Sequence, residues 1–403
     1  MTTEATTILP EERATRAVAT TPLAREAASG RRGAALRFAL VFVVTFLVIW
    51  SAAIAVHWIG NPDGIFPSSH MPSKRELAWK VRQFDRLVKQ NRAPTILVLG
   101  SSRMMQVSPP QLEKILGGGR AFNFAAPGSS PLDMLAQLRF ALAKGARPTN
   151  VLIGLDDQGM FGLYDETHGV RVFQAWDVFR KLPLREQLRV AAHVPAQVKP
   201  ELTWNAIMMM WQKPSPPRNK VASANAAVME DGYSVYPERE LKIKAGTYRL
   251  RNVLIAMTNA RRSKPPLYPE GARLSERHMR YLAMLLKLCR EQRISATVVL
   301  TPIHPRSDAL ILQAPERAAR KELDRRLAEV CAQNDAQYKN LTNINAFDGE
   351  EWGFWDEWHL TAANMVKLVN VAYGRDANDF VNELPTDLDR IAKPTRVNTT
   401  NTW

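Results

Sequence analysis

The run Thr95-Ile96-Leu97-Val98-Leu99-Gly100-Ser101-Ser102-Arg103 decides how the rest of the chain is read. An unbroken apolar run that stops at Gly-Ser-Ser reads as a strand buried on both faces of a parallel sheet, with a sharp turn at its carboxyl end. In an open α/β sheet, ligands sit beyond the carboxyl ends of the strands, so the two hydroxyls after Gly100 stand where chemistry is done. A serine there is a candidate nucleophile if a base can reach it; without one, Gly-Ser-Ser is an ordinary strand-to-helix turn. The chain offers a base far downstream, in Asp356-Glu357-Trp358-His359.

Working outward, Lys74 to Gln90 carries Leu77, Val81, Phe84, Leu87 and Val88 at helical spacing. After the first strand, Pro109 to Leu116 reads as a short helix closed by three glycines, and Ala121 to Phe124 as a second strand. The segment Ala125 to Ser130 is a loop, Pro131 to Lys144 a helix with proline at its start, and Asn150 to Leu155 a third strand running into Asp156-Asp157. Order then breaks down over about 158–273, where Pro214, Pro216, Pro217, a Met208-Met209-Met210-Trp211 cluster and a polar stretch 218–232 suggest a long insertion with some helices, outside the sheet. Those methionines read as packing. Regular order resumes with a helix over 275–292, a strand Ser295 to Leu300, a helix over 315–333, a strand Gln337 to Leu341 and a closing helix Thr361 to Tyr373. The alternation predicts an α/β body over 60–375 with a parallel sheet of about five strands, followed by a tail, 376–403.

At the other end, residues 1–37 are rich in Thr, Ala and Arg and read as a disordered tail. Phe38 to Ile59 is uncharged and long enough to span a bilayer. Arg31, Arg32 and Arg37 precede it and the first lysine after it is Lys74, so the tail is expected in the cytoplasm and the main domain outside. Trp50 and Trp58 fit an anchor nearing the outer interface. The apolar run is long for a cleaved signal peptide and no clear small-x-small site follows it, so a single-pass transmembrane signal anchor in the plasma (inner) membrane is expected.

At 403 residues, the chain can bury a large core. Its net charge of +15 favours acidic surroundings, whether anionic lipid, anionic polymer or nucleic acid. Scattered Lys and Arg without a zinc-finger, RNP-type or basic-zipper pattern set nucleic acid aside. The two cysteines, Cys289 and Cys331, lack metal-ligand spacing and are either two buried thiols or one bridge. No metal cluster or phosphate-cradling glycine loop is evident, so neither a metal nor a cofactor is expected.

Two of the seven histidines, His168 and His359, have an Asp three residues before them, and His359 is the one in a loop leading into a helix. That spacing lets Asp356 reach Nδ1–H, fix the tautomer and leave Nε2 for Ser102. The plainer reading makes Asp356 a cap for the helix near Thr361. An oxyanion needs preorganised donors, for which the Ser102 and Gly128 N–H groups are the natural backbone pair.

Gly100-Ser101-Ser102, Asn123 through Gly128, Gly154-Leu155-Asp156-Asp157 and Asp356-x-x-His359 fall in the order of the four signature blocks of the SGNH/GDSL hydrolase superfamily, which the chain resembles over roughly 90–157 and 275–375. The resemblance implies a flavodoxin-like three-layer sandwich and ester chemistry. It looks most like the membrane-anchored, exported branch that includes the D-alanyl transfer protein of the teichoic-acid pathway and polysaccharide O-acetyltransferases. That branch implies an acyl ester donor, a glycan or other envelope acceptor, and a membrane acyltransferase as a partner. Two departures stand out. The family's third oxyanion donor is an Asn where this chain has Asp156, and its Asp before the nucleophile is replaced by Ser101. An ionised Asp cannot donate, so either Asp156 is held protonated by burial, or the hole has two donors, or the site has drifted from catalysis towards a non-catalytic binding module. His304, in a Pro-rich loop after the fourth strand, could line the pocket. Trp352, Trp355 and Trp358 could stack on a sugar ring or anchor the loop.

Overall fold

The computed structural model describes residues 22–60, 76–161, 175–193, 227–236, 249–262, 273–311 and 314–383, with Arg239, Lys242 and Ala245 between. The Met208–Trp211 cluster, the three prolines after it, residues 61–75 and the end of the chain from 384 lie outside those residues.

Two units divide the chain, Met1–Ala55 and Val56–Trp403. The first is dominated by one helix, α1 (Pro22–Gly60). Within it, Ala35–Ala53 has a mean hydropathy of 2.2 and is long and apolar enough to cross a membrane. Phe38, Leu40, Val41 and Ile49 are all more than 60 % exposed, on no single stripe. Such a helix is apolar all round, which suits lipid better than water. The helix begins at Pro22, well before the expected start at Phe38, so 22–37 is helical where the composition suggested a disordered tail. Alanine, leucine and arginine, common in 22–37, are good helix formers, and an established helix propagates easily into them.

The second unit is an α/β body. Its elements begin with α2 (Glu76–Lys89), β1 (Ile96–Gly100), α3 (Pro109–Ile115), β2 (Ala121–Asn123), α4 (Pro131–Ala143) and β3 (Asn150–Leu155). The expected insertion holds two short helices, α5 (Trp176–Phe179) and α6 (Leu184–His193), a hairpin of β4 (Ala227–Val228) and β5 (Ser234–Val235), and α7 (Leu250–Arg262). Then come α8 (Glu276–Glu291), β6 (Ser295–Leu300), α9 (Pro305–Ile311), α10 (Ala314–Ala332), β7 (Gln337–Asn340) and α11 (Ala362–Ala372). Five strands, all parallel, form one sheet in the order β2-β1-β3-β6-β7.

The apolar runs behave as double-sided burial requires. Leu97, Leu99, Val151, Ile153, Val298 and Leu300 enter one apolar cluster, with residues of α2, α4, α8 and α10. Ile96, Val98, Leu152 and Val299 enter another, with residues of α3, α7 and α11. Period-two alternation within an all-apolar run therefore feeds two cores at once. Cys289 and Cys331 are two free, buried thiols, and burial pushes each up to about 12.

The polar stretch 218–232 conceals a structural finding, because its end forms the β4–β5 hairpin. The Asn123 N–H donates to Asp231 O (2.9 Å), so the hairpin turn caps the β2 edge. The Gln106 side chain donates to Ser234 O (2.9 Å), and the Ser234 hydroxyl bonds to Glu76.

Strand order places the functional rim. The chain steps from β1 to β2 on one side and then to β3 on the other, so the loops after β1, β2 and β3 open around a topological switch point.

Candidate active site

The nucleophile turn follows from local sterics. A Cβ on Gly100 would lie 2.5 Å from Met104 Cγ and 3.1 Å from Gly154 O, so only glycine lets β1 end against β3 here. The next two serines then take different jobs. Ser101 is buried, and its Oγ accepts the Arg103 N–H (3.2 Å), capping the 3₁₀ turn Ser102–Met104. Ser102 is half-buried, and its Oγ lies 2.8 Å from His359 Nε2.

The base sits in a tight loop closed by a bridge between Phe354 and Leu360 and by Trp355 N–H donating to His359 O (2.7 Å). Asp356 Oδ1 accepts the N–H groups of Trp358 (2.8 Å) and His359 (2.9 Å), a turn in which the side chain replaces a backbone acceptor. Both carboxylate oxygens lie 2.8 Å from His359 Nδ1. Thr361 holds the N-cap position of α11 without a side-chain cap bond, and Asp356 Oδ1 is taken by N–H groups of its own loop, so the plain capping role for Asp356 does not hold. Burial pushes the Asp356 carboxyl up, but the hydrogen bond and charge of His359 and the two backbone N–H groups outweigh it and hold it below the usual carboxylate range. The loop is pinned to the end of β6 by His304 N–H donating to Glu357 O (3.0 Å).

Ser102, His359 and Asp356 are therefore brought together as the spacing predicted. An imidazole within reach of a hydroxyl, with a carboxylate at its far ring nitrogen, is an arrangement chemically able to activate a serine. Gly128, at φ 62°, bends the loop after β2. Among the described residues, no acceptor takes the N–H of Ser102 or of Gly128.

Asp156 is placed differently from a donor. Its carboxylate lies 3.5 Å from Arg103 Nε and 3.2 Å from Thr301 Oγ1. A carboxylate beside a guanidinium and a hydroxyl is an acceptor with its partners supplied. The next residue, Asp157, is fully buried against Arg320 (2.5 Å), with Arg103 at 3.7 Å. Arg320 also holds Asp308 (2.7 Å), and Arg103 donates to Thr301 Oγ1 (3.3 Å). Arg103, Asp157, Thr301 and Arg320 were not legible as site residues, because their partners come from four separate segments. The only sequence signal was Arg103 following the nucleophile.

Two of the residues considered for substrate contact are buried. His304 is fully buried and packs edge-on against Phe354 (5.2 Å), and its ring nitrogens have no hydrogen-bond partner among the described residues. Burial lowers its pKa below the ordinary histidine value. It supports the loop from beneath. Trp355 is 9 % exposed with Arg239 over its ring, so it too anchors the loop. Trp358 is half-buried and carries Arg103 on its face at 5.0 Å, which joins the base loop to the nucleophile turn. Trp352 is likewise covered, by Arg251 and Arg306.

Asn123, which opens the second signature block, is structural. Its amide donates to Met104 O and Val107 O (both 2.9 Å), while Oδ1 accepts the Ala125 N–H (2.9 Å). The loop it begins is held from α2 by Lys80, whose buried ammonium donates to Ala125 O (2.5 Å). Among the described residues, no three His, Cys, Asp or Glu side chains gather into a metal-ligating group.

No protein-family model matches this chain, and no curated protein matches it either.

Proposed function

We propose that the chain is a membrane-tethered serine esterase or O-acyltransferase of the SGNH/GDSL type. It would have a flavodoxin-like three-layer body and act on a cell-envelope glycan or a related acyl ester. The observation that carries this is the continuous hydrogen-bonded line from Ser102 Oγ through His359 to Asp356, at 2.8 Å on each side of the ring. The strand order β2-β1-β3-β6-β7 supports the fold assignment, because it is the flavodoxin-like winding.

In this mechanism His359 Nε2 takes the Ser102 proton as Oγ attacks the acyl carbonyl. The imidazolium then returns the proton to the departing oxygen or sulfur, leaving an acyl-enzyme on Ser102. Water or a glycan hydroxyl, deprotonated by the same imidazole, attacks that ester and frees Ser102. Asp356 stays ionised throughout and steadies the imidazolium. Hydrolysis and transfer differ only in which hydroxyl arrives second. An apolar helical stretch at Ala35–Ala53, with Arg31 and Arg32 before it and Arg37 in its first turn, supports a domain held on the outer side of the plasma membrane. There an acyl ester donor, a membrane acyltransferase partner and an envelope acceptor would be at hand.

A fluorophosphonate probe tests the reading. The expected result is labelling of the wild-type chain and none of Ser102→Ala. The Arg103–Asp156 pair favours one rival, a non-catalytic module that binds envelope polymer or a membrane partner, because it places a filled acceptor where a donor would help. Absence of labelling in the folded wild type would decide for that rival. A phosphatase fused after residue 62 tests topology, since an inactive fusion in bacteria would reverse it.

A further inference from the structure

Strand β2 runs on into the loop that carries Gly128, and the backbone groups there alternate between two sides. The Phe124 N–H donates to Val98 O (2.9 Å) and the Ala126 N–H to Gly100 O (3.1 Å), so the loop stays joined to β1 up to two residues before Ser102. Asn123 and Ala125 face the outer edge of the sheet instead, as the period of two requires. There Asp231 O in the hairpin takes the Asn123 N–H, and Lys80 Nζ on α2 donates to Ala125 O (2.5 Å). The chain turns at once. Ser129 N–H donates to Ala126 O (3.1 Å), with Pro127 and Gly128 in the middle and Gly128 at φ 62°, a position in such turns that suits glycine. The turn that presents the Gly128 N–H is thus gripped by Gly100 O on one side and, through Ala125, by Lys80 on the other.

Lys80 is 0 % exposed and is itself held in place. Glu76, one helical turn earlier, lies 3.5 Å from its ammonium, and the Ser234 hydroxyl of β5 donates to Glu76. Burial lowers the Lys80 pKa from its ordinary value, while the charge and hydrogen bond of Glu76 and the charge of Asp231 pull it back up. Taking two charges out of water is costly, and apolar residues of similar volume often fill a core as well. Stability therefore gives little reason for an ammonium here. A carbonyl that must be held at one point gives a direct one, because a charged donor makes the stronger hydrogen bond.

We propose that Lys80 is a positioning residue for acyl transfer: by holding Ala125 O it fixes the turn Ala126–Ser129, so that the Gly128 N–H stands ready beside the Ser102 N–H for the oxyanion. The inference rests on the acyl-transfer reading above. Lys80 touches no reacting atom and exchanges no proton. The β4–β5 hairpin takes part at one remove, since Ser234 bonds to Glu76 and the charge of Asp231 acts on Lys80.

The test uses the full-length chain in detergent, with p-nitrophenyl acetate turnover, fluorophosphonate labelling and thermal melting read for three proteins. These are wild type, Lys80→Met, and a double variant that combines Lys80→Met with Glu76→Gln. Lys80→Met removes the donor and strands the Glu76 carboxylate, so kcat and melting temperature should both fall. The loss in kcat is expected at about 10–100-fold with KM little changed, because a misplaced oxyanion donor costs less than a deleted one. The double variant holds no stranded charge, and its melting temperature should return towards wild type. A merely structural Lys80 would let kcat return with it. A positioning Lys80 keeps kcat about 10–100-fold down, since Ala125 O still lacks its donor. Should Lys80→Met not fold, the double variant carries the comparison alone. Active wild type with a kcat that follows melting temperature across the series, or with the loss confined to KM, overturns the role of Lys80 alone. A double variant that cannot fold overturns it as well, by making the pair part of the fold itself. Folded wild type that neither labels nor turns over overturns the acyl-transfer reading and this inference with it.

Discussion

Two sets of charged side chains share the carboxyl rim of the sheet, and their construction differs at every level. Asp356 and His359 lie three residues apart in one short loop, are 21 % and 30 % exposed, and keep a proton relay open towards Ser102. Arg103, Asp156, Asp157, Asp308 and Arg320 are drawn from the ends of β1 and β3 and from α9 and α10, and they neutralise one another. Asp157 at 0 % exposed and Arg320 at 11 % are shut away from water. Burial pushes the Asp308 carboxyl up against the pull of Arg320. The same residue types thus serve reactivity where they are half-open and local, and rigidity where they are buried and assembled over distance. Trp358 joins the two sets, since it sits one residue before the base and stacks on Arg103.

The contrast breaks most sharply under substitution. Ser102→Ala or His359→Ala should cost about 10⁶-fold in kcat, and Asp356→Asn about 10⁴-fold through the wrong tautomer, with little change in melting temperature. Turnover of an activated ester alongside a melting curve checks both halves of that statement. The buried set should respond the other way. Arg320→Met removes the closest cation from Asp157 and should cost about 3–5 kcal/mol in urea unfolding, whereas Asp157→Leu combined with Arg320→Leu should recover much of that loss. If the single and double variants were equally destabilised, packing rather than charge would dominate the cluster.

Smaller effects probe the joint between the sets. Trp358→Leu should cost about 0.5–2 kcal/mol from the lost stacking on Arg103, and lower kcat by loosening the base loop. The smallest expected effect is a pH dependence. His304 is buried with its pKa lowered, so below its ordinary 6.5 the unfolded chain takes up a proton that the folded chain does not. Stability should therefore fall as pH drops below about 6.5, until the depressed folded value is passed. His304→Phe should flatten that part of the stability profile.

Legibility in the sequence followed the range of the forces involved. Double-sided strands announced themselves as apolar runs, and the ends of β3 and β6 were read to the residue because such runs have sharp borders. The β4–β5 hairpin was missed, since two-residue strands have no periodicity and this pair is stabilised by partners at Asn123, Gln106 and Glu76. Within the site, Ser102, Asp356 and His359 were legible from a turn signal and an i, i+3 spacing. The division of labour between Ser101 and Ser102 was not, because it depends on which hydroxyl caps the 3₁₀ turn. The burial of His304 and Trp355 was not legible for the same reason. Their loop positions could be read from the sequence, but burial depends on what packs beneath.

By itself, the sequence determined the α/β alternation, the apolar helix and the Asp356–His359 pairing, because hydrophobic period, turn chemistry and short spacing act within a few residues. Only the tertiary structure decided that Asp156 lies beside Arg103 and that His304 lies under the loop. Those are outcomes of burial and of pairing between distant segments, and the free energy of a buried polar group depends on neighbours that the linear order does not contain.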